Sequence, residues 1–244
     1  MALILTNDDG IDAPGIWALQ KAVAKAFGDK AFGTKTFETK GIIVAPRDHH
    51  SGCGHQVTTH SPIHVGKRAE DVYAIAGTPA DCVRVALGHL CLGDKHPEIK
   101  LVLSGINDGG NLGADVYISG TVAAVREAAL HRIPGIAISH YRAKGKQVDW
   151  ERAADLTAKV LTKLSGKAIA AGSFWNVNLP HLDADAPDPA MIFCDRSTHP
   201  LPVSFKIEGE YLMYAGKYQN RDRTAGTDVD VCFSGNIAIT QIDL

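Results

Sequence analysis

Leu3-Ile4-Leu5-Thr6-Asn7-Asp8-Asp9-Gly10 is the stretch on which the fold is read. Its unbroken apolar run suits a strand covered on both faces, and Gly10 supplies the turn that ends it. Two neighbouring carboxylates at a strand end raise each other's pKa. A divalent cation between them removes that cost, so Asp8 and Asp9 are the first candidates for a metal site. Adjacent strand residues point to opposite faces, so both reach one ion only where the chain turns, as Gly10 permits. Taken alone, an acidic dipeptide is more often a solvated turn.

The pattern recurs. Ile42-Ile43-Val44-Ala45 runs into Pro46-Arg47-Asp48, Leu101-Val102-Leu103 into Ser104-Gly105-Ile106-Asn107, and Ile136-Ala137-Ile138 into Ser139-His140. Helix-like stretches lie between these runs, at roughly 14–27, 80–90, 121–131 and 150–164. In the last, Trp150, Ala153, Ala154, Leu161 and Leu164 fall near one face. This alternation predicts an α/β doubly wound fold with a mostly parallel, Rossmann-like sheet. Such folds bind ligands beyond the carboxyl ends of their strands, where acids, amides and hydroxyls collect here.

After Pro180 the texture changes. Residues 183–189 are rich in Asp, Ala and Pro and read as a connector, while Phe205-Lys206-Ile207-Glu208 and Tyr211-Leu212-Met213-Tyr214 alternate as hairpin strands do. The expected organisation is a catalytic core over 1–182 and a C-terminal hairpin and helical extension over 183–244. That extension packs on the core or is exchanged with a second subunit. Thr34 to Lys40 reads as a surface loop or short hairpin.

At 244 residues and 45% hydrophobic, the chain suits one large soluble domain with or without an appendage. A net charge of -2 and the lack of a long basic run argue against a nucleic-acid polymer as partner. Five cysteines, at 53, 82, 91, 194 and 232, include no CxxC, against both a zinc ribbon and a secreted disulfide scaffold. No run approaches the ~20 apolar residues of a membrane span, and no signal peptide is visible. The chain reads as cytoplasmic, with no membrane partner.

Four further segments carry candidate chemistry. Ser104 to Gly113 holds four of its ten residues as Gly; it is either a tight turn or a loop whose N–H groups approach a ligand, with Asn107 and Asn111 offering amides. Ser119-Gly120-Thr121 opens a helix, as a simple cap or as a seat for an oxyanion at the helix's positive end. Ser51-Gly52-Cys53-Gly54 follows the second strand. Gly77-Thr78-Pro79-Ala80-Asp81 reads as structural, with Thr78 capping and Pro79 at the first helical position. The histidines at 49, 50, 55, 60 and 64 show no metal-ligand spacing and read as loop residues.

In this order the pieces resemble the SurE (survival protein) family of metal-dependent 5'-nucleotidases. The resemblance rests on Thr6 to Gly10, Ala45-Pro46 with Ser51-Gly52, Gly77 to Cys82, Ser104 to Asn107 with Gly110 to Gly113, Ser119 to Val122, and Asn176 to Pro180. It implies that Asp8, Asp9, Ser51 and Asn107 hold one divalent cation per subunit, typically Mg²⁺ or Mn²⁺. It implies phosphate contacts from Asn111, Ser119, Gly120 and Thr121. It further implies hydrolysis of nucleoside monophosphates by a homodimer or homotetramer with exchanged C-terminal segments.

Two carboxylates would balance such an ion, and Asp8 or Asp9 would accept the proton of the attacking water. Departures from the family pattern are the longer stretch 28–41, Asp108 beside Asn107, and Gln241 where Pro is frequent. An aspartyl-phosphate mechanism needs two Asp separated by one residue, and these are adjacent. A dinucleotide-dependent oxidoreductase needs Gly-x-Gly-x-x-Gly after the first strand, where Asn-Asp-Asp-Gly stands. A nucleotide-binding module without turnover would have lost an acid or the Ser119-Gly120-Thr121 element, and neither is lost.

Overall fold

The computed structural model describes residues 2–28, 40–92 and 98–244. In chain order the elements are β1 (Ala2–Thr6), α1 (Pro14–Phe27), β2 (Lys40–Pro46), β3 (Val65–Ala69), β4 (Val72–Ile75), α2 (Pro79–Val85), β5 (Ile99–Asp108), α3 (Gly120–Leu130), β6 (Gly135–His140), α4 (Trp150–Leu164), β7 (Ser173–Leu179), β8 (Met191–Phe193), β9 (Phe205–Glu208), β10 (Tyr211–Tyr214), α5 (Asp228–Phe233) and β11 (Ile237–Asp243). The stretch 34–39, read as a loop or hairpin, and most of the long stretch 28–41 lie outside the described residues.

The main sheet runs β3-β4-β2-β1-β5-β6-β7-β11-β8. From β4 to β7 all neighbours are parallel. β3 is antiparallel to β4, β11 antiparallel to β7, and β8 parallel to β11. From β1 the chain works outward to the β4–β3 edge, then crosses back to β5 on the other side of β1. The order therefore reverses between β1 and β5, where an open α/β sheet forms its ligand crevice.

Residues of β1 alternate between two cores. Leu3 and Leu5 pack with α1 and α4, whereas Ala2 and Ile4 pack with α2 and α3. That is why β1 is apolar at each position from Ala2 to Leu5 rather than at every second one. α1 lies directly on β5 because Gly15 has no side chain: a Cβ there would fall 2.0 Å from the Ile106 carbonyl oxygen. The helix expected over 80–90 divides into α2 and a wider π turn over Ala86–Leu90, with the weak helix former Gly88 inside it. No described helix is long and apolar enough to cross a membrane.

The segment 183–244 plays two parts. β8 and β11 are strands of the main sheet, and α5 closes a third core of Leu112, Val229, Val231, Cys232 and Ala238. The β9–β10 hairpin forms a small sheet of its own, and its apolar side chains, Ile207 and Tyr211 among them, are exposed.

Candidate active site

The turns after β1, β2 and β5 meet the start of α3 around a cavity of 480 Å³. Its lining includes Asp8, Ser51, Asn107, Asn111 and Ser119, together with Leu201, Val203, Tyr214 and Tyr218 from the C-terminal segment. Five of the eight candidate residues thus border one space. Gly120 and Thr121 reach it through Asp8. Asp9 stands at its side: its Oδ2 accepts the Asp108 backbone N–H at 3.1 Å, and its Oδ1 lies 3.4 Å from His49 Nδ1.

The turn that brings the two acids here is built by Asn7. Its Nδ2 donates to the Gly10 carbonyl at 2.8 Å and its Oδ1 accepts the Gly10 N–H at 3.3 Å. Asp8 is buried, with its Oδ1 accepting the Thr121 hydroxyl. Burial pushes its carboxyl up to about 6; the Thr121 hydrogen bond works against that rise and neighbouring Asp9 adds to it. The Asp9 carboxyl is raised too, by burial first, with the Asp108 N–H and His49 opposing.

Asn107 Nδ2 donates to the Gly109 carbonyl at 2.8 Å, which leaves Asn107 Oδ1 buried without a protein partner. A native protein rarely leaves such an oxygen unmet. An orphaned amide oxygen on a residue that shares a cavity with a carboxylate costly to ionise fits a hard divalent cation. Among the described residues no three His, Cys, Asp or Glu gather to hold a metal. The candidate donors, two carboxylates with an alcohol and an amide, are all hard oxygen groups of the kind a divalent cation takes. The histidines at 49, 50, 55, 60 and 64 all lie outside helices and strands.

α3 begins where the candidate oxyanion seat was expected. Ser119 is its N-cap, with Oγ accepting the Val122 N–H at 3.1 Å. Gly120 is required sterically, since a Cβ there would lie 2.8 Å from Asp8 Cβ and 3.1 Å from Cys53 Sγ. Gly120→Ala is expected to displace Asp8 while unfolding remains a single transition; a crystal structure of the variant with a denaturation curve checks it.

Asn111 is held from behind. Its N–H donates to Asn178 Oδ1 at 2.8 Å, and its carbonyl accepts Asn176 Nδ2 at 2.8 Å and Asn178 Nδ2 at 3.1 Å. Its own Nδ2 donates to Ser139 Oγ at 2.8 Å. Two amides in the fully buried strand β7 were the available signal for this support.

Four residues that reading the sequence missed secure the loop after Asn111. Tyr218 and Arg221 both donate to Asp115 Oδ2, at 2.7 and 2.5 Å, and Arg221 also donates to the Leu112 carbonyl at 2.8 Å. Asp228 accepts the N–H groups of Gly113 and Ser197 at 2.7 and 2.8 Å.

A family model for the survival protein SurE matches residues 3–198. Over 243 residues the chain is 55% identical to the alr3139 protein of Nostoc sp. (strain PCC 7120), covering 99% of each. It is 38% identical over 248 residues to the 5'-nucleotidase SurE of Geotalea daltonii, covering 100% of this chain and 93% of that one. The crystal structure of the Aquifex aeolicus SurE protein matches with a TM-score of 0.81 at 28% identity, over 100% of this chain and 93% of the other. With a matching model over most of its length and the same mostly parallel, helix-covered sheet, the chain belongs to the SurE family.

Proposed function

We propose that this protein is a metal-dependent phosphatase that hydrolyses nucleoside 5'-monophosphates to nucleoside and inorganic phosphate. The Geotalea relative carries the 5'-nucleotidase name. The observation that carries the metal reading is the orphaned Asn107 Oδ1 in the wall of the cavity that Asp8 and Ser51 also line. Asp8, Asp9, Ser51 and Asn107 would hold one Mg²⁺ or Mn²⁺ per subunit. When bound, such an ion polarises the phosphoryl group and lowers the pKa of a water.

The chain's own groups do the rest. Asp8 or Asp9 takes up the proton of the attacking water. The Thr121 hydroxyl and backbone N–H are both committed to Asp8, so the Gly120 N–H at the positive end of α3 is the backbone donor that would face the phosphate. The Ser119 hydroxyl accepts from Val122 and keeps its own proton to donate, and Asn111 sits at the same wall. Leu201, Val203 and Tyr214 offer apolar surface to the nucleoside.

The exposed apolar hairpin favours a homodimer or homotetramer in which part of 183–244 is exchanged. Cys53, Cys82, Cys194 and Cys232 form no disulfide, in keeping with a cytoplasmic protein, and neither a nucleic-acid polymer nor a membrane is a partner in this reading.

The test is phosphate release from AMP with Mn²⁺, repeated in excess EDTA. Release that stops in EDTA supports the reading, and full activity there rejects the metal. Calorimetric AMP binding without product would instead indicate a binding module. Asn107→Ala is expected to weaken Mn²⁺ binding at least about tenfold.

A further inference from the structure

Glu127 is a buried carboxylate on α3, two turns beyond Gly120 and away from the reacting groups. Its Oε2 lies 2.7 Å from His55 Nε2; its Oε1 lies 3.2 Å from His131 Nε2 and 3.7 Å from Arg84 Nε. His55 belongs to the loop that carries Ser51. That loop lies along α3: the Gly54 N–H donates to the Ile118 carbonyl at 3.0 Å, and Cys53 abuts Gly120. Further on it is tied to the start of α2, where the Gln56 carbonyl accepts the Thr78 hydroxyl at 2.6 Å and the Thr58 N–H donates to Asp81 at 2.9 Å. At its near end the His50 N–H donates to the Asp8 carbonyl at 2.7 Å.

Ser51 itself is exposed. Its position is inherited from these ties. Two of them join backbone to backbone, and two use the Thr78 and Asp81 side chains at the start of α2. The His55–Glu127 contact joins the loop to the body of α3 through a side chain that burial keeps in one place. Burial would push the Glu127 carboxyl up, and the hydrogen bonds from His55 and His131 with the nearby Arg84 charge hold it below the usual range instead. It is therefore an anion at neutral pH, suited to gripping an imidazole N–H.

We propose that Glu127 and His55 are positioning residues that lock the Ser51 loop to α3, so that the cation donors and the phosphate-binding helix start keep one spacing. The inference rests on the metal reading above, and the experiment separates the two. Mn²⁺ binding is measured by calorimetry, and amide exchange over residues 50–58 is measured in the metal-free protein, for the parent chain, His55→Ala, Glu127→Ala, Glu127→Gln and His131→Ala. His131 touches the same carboxylate but stands at the end of α3, off the loop.

His55→Ala and Glu127→Ala are expected to weaken Mn²⁺ binding by roughly 10-fold and to speed exchange across 50–58, as loss of an outer-shell partner does. Glu127→Gln, which still accepts a hydrogen bond, recovers most of the affinity, and His131→Ala leaves both readouts at the parent level. Parent-level affinity and exchange in His55→Ala overturn the proposal. So does an equal loss in His131→Ala, which would mean that α3 is merely loosened. Failure of the parent chain itself to bind Mn²⁺ sinks the metal reading, and the exchange rates over 50–58 then decide by themselves whether the loop is locked.

Discussion

Asp8→Asn is expected to lower phosphate release from AMP by roughly 10³–10⁴-fold while making the metal-free protein more stable at pH 8. The first effect follows from losing a cation donor and a proton acceptor at once. The second follows from linkage. The folded-state carboxyl is raised from 3.8 to about 6, chiefly by burial. Between those values the folded state holds more protons than the unfolded one, so stability falls as pH climbs through this window and the whole penalty is present above it.

Two units correspond to on the order of 2–3 kcal/mol. Asn carries no such penalty and still accepts the Thr121 hydroxyl. Urea unfolding in EDTA should therefore show the variant ahead of the parent at pH 8, with the gap closing toward pH 4. Adding Mn²⁺ at pH 8 should reverse the order, because a ligand that binds the folded state stabilises it by mass action. An unchanged gap across pH would show that the Asp8 carboxyl is not raised.

Arg221→Met should destabilise the protein by about 3 kcal/mol at pH 7 and raise KM for AMP more than it changes kcat. Arg221 and Asp115 are both buried, and the guanidinium lies over the Tyr218 ring at 4.7 Å. Breaking a buried pair from one side leaves an uncompensated charge, which costs about 3–5 kcal/mol. The lower end applies here, since Asp115 Oδ2 keeps the Tyr218 hydroxyl and the Leu112 N–H, at 2.7 and 3.1 Å. Asp115 lines the cavity beside Asn111, so the loss reaches the phosphate contacts. Removing both charges in Arg221→Met with Asp115→Asn should recover most of the stability; denaturation of the two singles and the double measures the coupling. Additive losses would show that the pair does not act as a unit.

Much of the sheet was legible because its signals are local. An apolar run that stops at polar residues marks a strand buried on both faces and its ligand-facing end, which located β1, β2, β5 and β6. Helical spacing gave α4 to the residue, Trp150–Leu164, and the hairpin alternation gave β9 and β10. β3, β4, β7, β8 and β11 escaped. β3, β4 and β8 are three to five residues long, while the seven-residue strands β7 and β11 mix polar residues into their apolar positions and show no unbroken apolar run. What identifies β11 is the open edge of β7, and no sequence window contains both.

The candidate site divides in the same way. Residue type and turn chemistry drew attention to Asp8, Asp9, the Ser51 turn, Asn107, Asn111 and the Ser119-Gly120-Thr121 start of α3, but each also had a plain structural reading, and only the resemblance to the SurE family assigned them metal and phosphate roles. Which of them share a cavity was settled by the strand-order reversal between β1 and β5. That Asp9 stands aside on Asp108, that Asn176 and Asn178 grip Asn111, and that Tyr218, Arg221 and Asp228 fasten the next loop were decided by tertiary structure only. A side chain's local preferences travel with its own few neighbours, whereas a hydrogen bond between distant parts of the chain exists only once the sheet has brought both ends together.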